Sequence, residues 1–313
     1  MSTPLRLALA LSLSLPLGLS SAQAHPSLLV GSPATPQIRR ASAIQAVQYR
    51  KMKISGVYCH VVEVDLNNPH VRLRAMRARD LGARYRTFGS FVRETKPIAA
   101  ITGTFFDTAT GTIICNLVRD GRLVEMGSVG HTLALDEVNQ PRWMDTAGHY
   151  GGGHNWRDSE FAVSSGPTLV RQGQIALNPR SEGFRDPGLF RQASRAGIAT
   201  TSSGKLLLVT VNHGITLGRF ARVMRSLGAE NALNLDGGSS TAMYARGRFV
   251  SRPGRRLTNV LLVTVRPGDP IPAEVELEAE QAEEAWSQPI QDEDLEPAPE
   301  PERIDLATQE IWF

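Results

Sequence analysis

Apolar residues along this chain fall in short runs of strand length, separated by breaks rich in Gly, Asn and Pro. Residues 57–65, Val-Tyr-Cys-His-Val-Val-Glu-Val-Asp, predict a β-strand that Asn67-Asn68-Pro69 ends as a turn. Residues 71–76 alternate apolar with basic side chains, the pattern of a half-exposed strand. Residues 88–94 predict a short helix stopped before Pro97, because the residue preceding a proline disfavours helical backbone. An apolar run from Pro97 to Thr102 leads into Gly103-Thr104-Phe105-Phe106-Asp107. Residues 117–124 read as a hairpin turning at Asp120-Gly121. Gly151-Gly152-Gly153-His154-Asn155-Trp156 reads as a flexible loop, and 161–170 as a strand broken by Ser165-Gly166-Pro167.

The second half of the chain gives the clearest signals. The run from Leu206 to Val211, apolar but for Thr210, reads as a strand buried on both faces. Leu217, Phe220, Met224 and Leu227 recur at helical spacing with Arg219, Arg222 and Arg225 between them. They predict an amphipathic helix with a basic outer face, stopped at Gly228. A short strand, 232–235, then ends in the sharp turn Asp236-Gly237-Gly238, and 260–265 is a last core strand. No internal repeat is present. The pattern predicts an α+β fold: a single mixed α/β domain with β-sheets flanked by a few helices.

Both ends depart from this pattern. Arg6 precedes an apolar run from Leu7 to Leu19, followed by Ala22-Gln23-Ala24. That is the layout of a secretory signal peptide cleaved after Ala24, and the run is shorter than the ~20 residues a membrane span needs. Residues 1–24 are therefore read as a signal, 25–45 as a loose N-terminal arm and 46–270 as one domain. Residues 271–313 form an acidic, proline-containing tail whose composition predicts disorder. The expected location is secreted or periplasmic, with no transmembrane segment after signal cleavage.

Charge sharpens the division. Residues 25–270 hold 32 of the 34 Lys and Arg and 17 of the 31 Asp and Glu, a formal +15; the tail holds 14 acids and one Arg, a formal −13. A basic domain focuses anionic ligands. An exported protein rarely meets nucleic acid, so the expected partner is an anionic glycan or a sugar-phosphodiester substrate. Cys59 and Cys115 are the only cysteines; an oxidising compartment would permit a bridge, and their separation in sequence leaves a disulfide and two buried thiols both open.

Asp236 lies where an apolar strand meets two glycines, and Ser239, Ser240 and Thr241 follow. Glycines let backbone approach a ligand closely, and successive N–H groups in such a turn form a nest for anionic oxygen. A tight turn in which Asp236 bonds its own backbone is the alternative. His131, His149, His154 and His213 form no compact pair, which disfavours dedicated zinc. No cofactor motif is present; a calcium held by carboxylates and carbonyls stays open.

Asn234-Leu235-Asp236-Gly237-Gly238-Ser239-Ser240-Thr241, after an amphipathic helix and Gly228-Ala229, resembles the signature of the phosphodiester glycosidase family. Further segments match in order: Gly103 to Asp107, Cys115-Asn116, Ser165 to Val170, Arg195 to Ala199, and Asn259 with its apolar sequel. The resemblance runs from about Gly56 to Val265. Ala199, Ser239 and the short loop at His213 depart from the family pattern. It implies hydrolysis of a sugar-1-phosphate diester. Asp236 would be base or nucleophile, Arg195 the phosphate ligand and Asp107 a reserve carboxylate. Asn116, Ser240 and Thr241 would bond sugar or phosphate, with Asn234, Gly103, Gly237 and Gly238 shaping the pocket. The competing readings are a non-catalytic module binding anionic cell-wall glycans, and a glycosidase acting on ordinary sugar linkages.

Overall fold

The computed structural model describes residues 43–150 and 154–287. Seventeen strands dominate it. In chain order they are β1 (Val47–Ile54), β2 (Val57–Asp65), β3 (Val71–Arg77), β4 (Ala99–Thr102), β5 (Leu117–Arg119), β6 (Arg122–Glu125), β7 (His131–Leu135), β8 (Pro141–Met144) and β9 (Phe161–Ser165). There follow β10 (Thr168–Arg171), β11 (Gln174–Ile175), β12 (Ala193–Thr201), β13 (Lys205–Ile215), β14 (Ala229–Asn234), β15 (Met243–Ala245), β16 (Arg248–Ser251) and β17 (Asn259–Val265). The helices are α1 (Phe88–Thr95), α2 (Leu217–Ser226) and α3 (Ala273–Ser287). The fold is thus sheet-dominated with few helices, rather than a balanced mixture of the two.

Three antiparallel sheets result. The first runs β1-β2-β13-β12-β14-β10-β11, the second β16-β15-β4-β17-β3 and the third β6-β5-β9-β7-β8. Alternation along each strand decides the layering, since successive side chains point to opposite faces. Leu206 and Leu208 of β13, with Val62, Val64, Ile198 and Leu233, pack against Ile101, Leu261 and Val263 of the second sheet and Leu133 and Val163 of the third. The intervening residues Leu207, Val209 and Val211 face outward, where Phe220, Val223 and Met224 of α2 cover them. Each such side chain, fully buried, contributes roughly 1.5–3 kcal/mol. Thr216 caps α2 by accepting from the Arg219 N–H at 3.2 Å. On the far side of the second sheet, Ala100, Val260 and Leu262 meet Phe88, Phe91 and Val92 of α1.

The breaks at Asp120-Gly121 and Ser165-Gly166-Pro167 fall as expected. The second has a larger consequence than a simple interruption: β9 joins the third sheet and β10 the first. The acidic tail departs from expectation. Residues 273–287 form α3, which packs on the domain through Val275 and Ala282 and pairs Glu274 and Glu278 with Arg246, and Glu276 with Lys96. Local composition predicted disorder here because the apolar contacts that hold the helix are distant in sequence. The signal, most of the arm, Gly151 to Gly153 and the rest of the tail lie outside the described residues. Among those described, no helix is long and apolar enough to cross a membrane. Cys59 and Cys115 form no disulfide with each other, and both thiols are fully buried.

Candidate active site

The first and second sheets meet at Asp236. From β14 the chain continues through Leu235, whose N–H reaches the Ala196 carbonyl at 2.8 Å, and the Asp236 N–H reaches the Gly103 carbonyl at 3.1 Å. Gly103 directly follows β4, so one hydrogen bond ties the ends of two strands from different sheets. Only glycine fits at 103: a Cβ there would lie 1.8 Å from Asn259 Oδ1. That oxygen accepts from the Thr104 N–H at 2.7 Å, while Asn259 Nδ2 donates to the Thr104 carbonyl at 3.0 Å.

The turn after Asp236 is held from β12. A Cβ at Gly237 would lie 2.8 Å from the Ser194 carbonyl oxygen. Ser194 Oγ donates to the Gly238 carbonyl at 2.9 Å and accepts from Thr241 Oγ1 at 3.1 Å. Residues 238–240 form a short 3-10 turn that places the Ser240 hydroxyl against the Asp236 carboxylate. Asn234 is fully buried; its Nδ2 donates to the Gly166 and Leu235 carbonyls, and Oδ1 has no protein partner.

A residue outside the expected set completes the centre. Arg255, from the loop 252–256 between β16 and β17, donates from Nη2 to Asp236 Oδ2 at 3.1 Å and from Nε to Ser240 Oγ at 2.6 Å. Its guanidinium lies 4.7 Å from the centroid of the Phe106 ring. Asp236 is buried and Arg255 half-buried. Burial pushes the Asp236 carboxyl up to about 6, against the pull of Arg255, Ser240 and the Gly237 N–H. The carboxylate is therefore largely ionised at neutral pH yet costly to keep so. Cys115 lies close enough that the Asp236 charge adds to burial in pushing its thiol up to about 12.

The other expected residues divide. Arg195 does not face Asp236. Its Nε donates to the Ile215 carbonyl and its Nη2 to those of Leu189 and Arg191, at 3.1, 3.1 and 2.5 Å. Burial pulls its guanidinium down to about 10. These bonds pin the segment before β12 and are those of a structural residue. Asp107 is exposed, and its Oδ1 accepts from the Thr110 and Ala109 N–H groups at 3.1 and 2.8 Å, which holds its carboxyl below the usual range. It caps its own turn. Asn116 is buried, with Oδ1 accepting from the Gly127 N–H at 2.9 Å. The turn and its flank thus gather around Asp236, whereas the side chains of Arg195, Asp107 and Asn116 bond to backbone. Arg255 carried one legible signal, the basic cluster Arg252-Pro253-Gly254-Arg255-Arg256, with nothing in the spacing to connect it to Asp236. Among the described residues, no three His, Cys, Asp or Glu side chains gather as a metal-ligand set.

Residues 95–264 match the sequence profile of phosphodiester glycosidases. The chain belongs to the phosphodiester glycosidase family. It is 25% identical over 179 residues to mouse N-acetylglucosamine-1-phosphodiester alpha-N-acetylglucosaminidase, covering 49% of this chain and 33% of that protein. The chain therefore spans about a third of the length of that relative. Two solved structures share the fold. A hypothetical protein from Synechocystis superposes with a TM-score of 0.59 at 20% identity, over 70% of this chain and 62% of that one. The zebrafish N-acetylglucosamine-1-phosphodiester alpha-N-acetylglucosaminidase catalytic domain, auto-inhibited by pro-peptide, gives 0.57 at 19%, over 70% and 82%. The phosphodiester glycosidase match takes in Asp236 and Arg255 and ends before α3.

Proposed function

We propose that this chain is an exported hydrolase that cleaves a glycosyl phosphodiester, with Asp236 acting on the anomeric carbon or on the attacking water. The observation that carries the reading is the Asp236–Arg255–Ser240 cluster: one buried carboxylate faced by a guanidinium. Most glycosidases use two carboxylates, one of them an acid that protonates a poor leaving group. A phosphate ester departs as a stabilised anion, so a cation beside the carboxylate replaces that acid. Water adds to the anomeric carbon and gives its proton to Asp236. The carbon–oxygen bond to phosphate breaks, and its electron pair leaves on the phosphate oxygen, where Arg255 offers a planar fork matched to that charge. In the nucleophilic variant the Asp236 oxygen bonds the anomeric carbon as the bond to phosphate breaks; water then adds to that carbon, the bond to Asp236 breaks, and the freed carboxylate takes the water's proton.

Family membership and the name of the mouse relative support a phosphodiester-linked sugar as substrate. The signal-like residues 1–24 support export. Incubating the purified protein with UDP-GlcNAc and with a synthetic sugar-1-phosphate diester tests the proposal. Release of free sugar by the wild type and its loss in Asp236→Asn are expected. Binding of an anionic glycan without turnover would replace the hydrolase by a binding module. Turnover of plain glycosides alone would move the substrate class.

A further inference from the structure

Three of the holds on the loop that carries Arg255 bear on how it is placed. The Gly254 N–H reaches the Ser239 carbonyl at 2.9 Å, and Leu257 exchanges backbone hydrogen bonds with Arg86 at 2.8 and 2.9 Å. The third hold is on Arg252, and it comes from α3. The Arg252 guanidinium lies 5.6 Å from the Trp286 ring centroid and 5.9 Å from that of Phe249, and Nη1 donates to the Trp286 carbonyl at 3.4 Å.

Trp286 is itself seated in a built slot. Its ring meets Phe249 edge-on at 4.8 Å and Phe88 at 6.4 Å. It lies over Gly89 of α1, where a Cβ would come within 2.8 Å of two ring atoms, so no other residue leaves room for the indole. Pairing of Arg246 with Glu274 and Glu278 anchors the first half of the helix. Gly89, Phe88 and Trp286 all lie outside the residues matched by the family.

We infer that Trp286 is a positioning residue for the active site: through Arg252 it fixes the loop that holds Arg255 against Asp236. The inference rests on the reading that Arg255 serves Asp236. A helix that merely stabilised the fold would not need to grip the loop whose next arginine, three residues on, enters the site. Asp236 is faced by Arg255 from that loop, by Ser240 from its own turn and by Cys115 from the segment before β5. Loosening the loop should therefore weaken the Arg255 pull and leave burial in control of the carboxyl.

The test follows the Asp236 carboxyl by carbon NMR titration in the full chain, which needs no substrate, alongside kcat and KM for the sugar-1-phosphate diester. Arg255→Gln sets the reference, an upward shift of the Asp236 midpoint. Trp286→Ala should shift it the same way and raise KM by roughly 3- to 10-fold, the range for losing a partly desolvated cation–π contact. Trp286→Phe should restore most of both. Arg252→Gln should reproduce the shift with α3 still packed, which covers the case in which Trp286→Ala fails to fold. An unshifted midpoint in Arg252→Gln, with Arg255→Gln shifted, would overturn the inference and leave α3 a stabilising helix. An unshifted Arg255→Gln would also overturn it, because Arg255 would then not govern Asp236. If no sugar is released but the shifts occur, the hydrolase reading fails while the coupling stands.

Discussion

A single guanidinium, Arg255, bonds both the Asp236 carboxylate and the Ser240 hydroxyl, 3.1 and 2.6 Å away. The two acceptors lie four residues apart on one turn, and the donor comes from a loop of another sheet. The arrangement combines rigid donors with a charge that offsets part of the cost of burying Asp236.

Arg255→Lys keeps the charge and loses the fork. It should raise KM for a phosphodiester by about tenfold or more, the loss of one charge-assisted hydrogen bond. Arg255→Gln removes the charge as well and should move the acid limb of the pH–rate profile upward. Steady-state kinetics between pH 4.5 and 8 checks both; an unchanged KM in the lysine variant would place the phosphate elsewhere.

Asp236→Asn should fold and lose at least ~10²-fold in turnover. Its stability has a defined sign. Burial raises the carboxyl from 3.8 to about 6, so the folded protein holds the proton more tightly than the unfolded chain. Stability from this group is full below the lower value, falls as pH rises through the window and is flat above it, a loss of roughly 2–3 kcal/mol. Melting of the asparagine variant should therefore depend less on pH between 4 and 6 than melting of the wild type. Equal slopes would show that Asp236 is solvated.

Arg195→Lys should act on the fold and not on the substrate. Lysine cannot reproduce donation from Nε and Nη2 to the carbonyls of Ile215, Leu189 and Arg191. Unmet buried carbonyls cost about 1–3 kcal/mol each, so melting should drop by several degrees with KM near the wild-type value. The opposite pattern, normal melting with KM raised, would return Arg195 to the phosphate.

Glu182 is buried, with both carboxylate oxygens accepting from the Thr168 N–H at 3.0 and 2.9 Å, and burial pushes it from 4.5 up to about 7. Its raised value again means stability lost as pH rises through that window. Glu182→Gln keeps an acceptor for Thr168 without the charge. The variant should melt above the wild type at pH 8 and match it near pH 4.5, as read by calorimetry.

The local pattern was enough for elements whose signals lie within a few residues. The helical spacing of Leu217, Phe220 and Met224, the apolar run in the first half of β13, and the Asp236-Gly237-Gly238 turn were all legible, because backbone conformation there follows from neighbouring side chains. Two contacts were not legible, for one reason. Arg195 read as a phosphate ligand, yet its partners are carbonyls that only the packed segments 189–191 and β13 bring near. Residues 273–287 read as disordered because acidic composition says nothing of Arg246, Phe249 or Gly89 waiting on other elements.

By itself the sequence determined the carboxylate, its glycine turn and the family to which they belong. Tertiary structure decided which arginine faces that carboxylate. A motif fixes the side chains within one turn, but a charge pair also needs two loops to meet. Here that meeting depends on how two sheets close over the bond between Asp236 and Gly103.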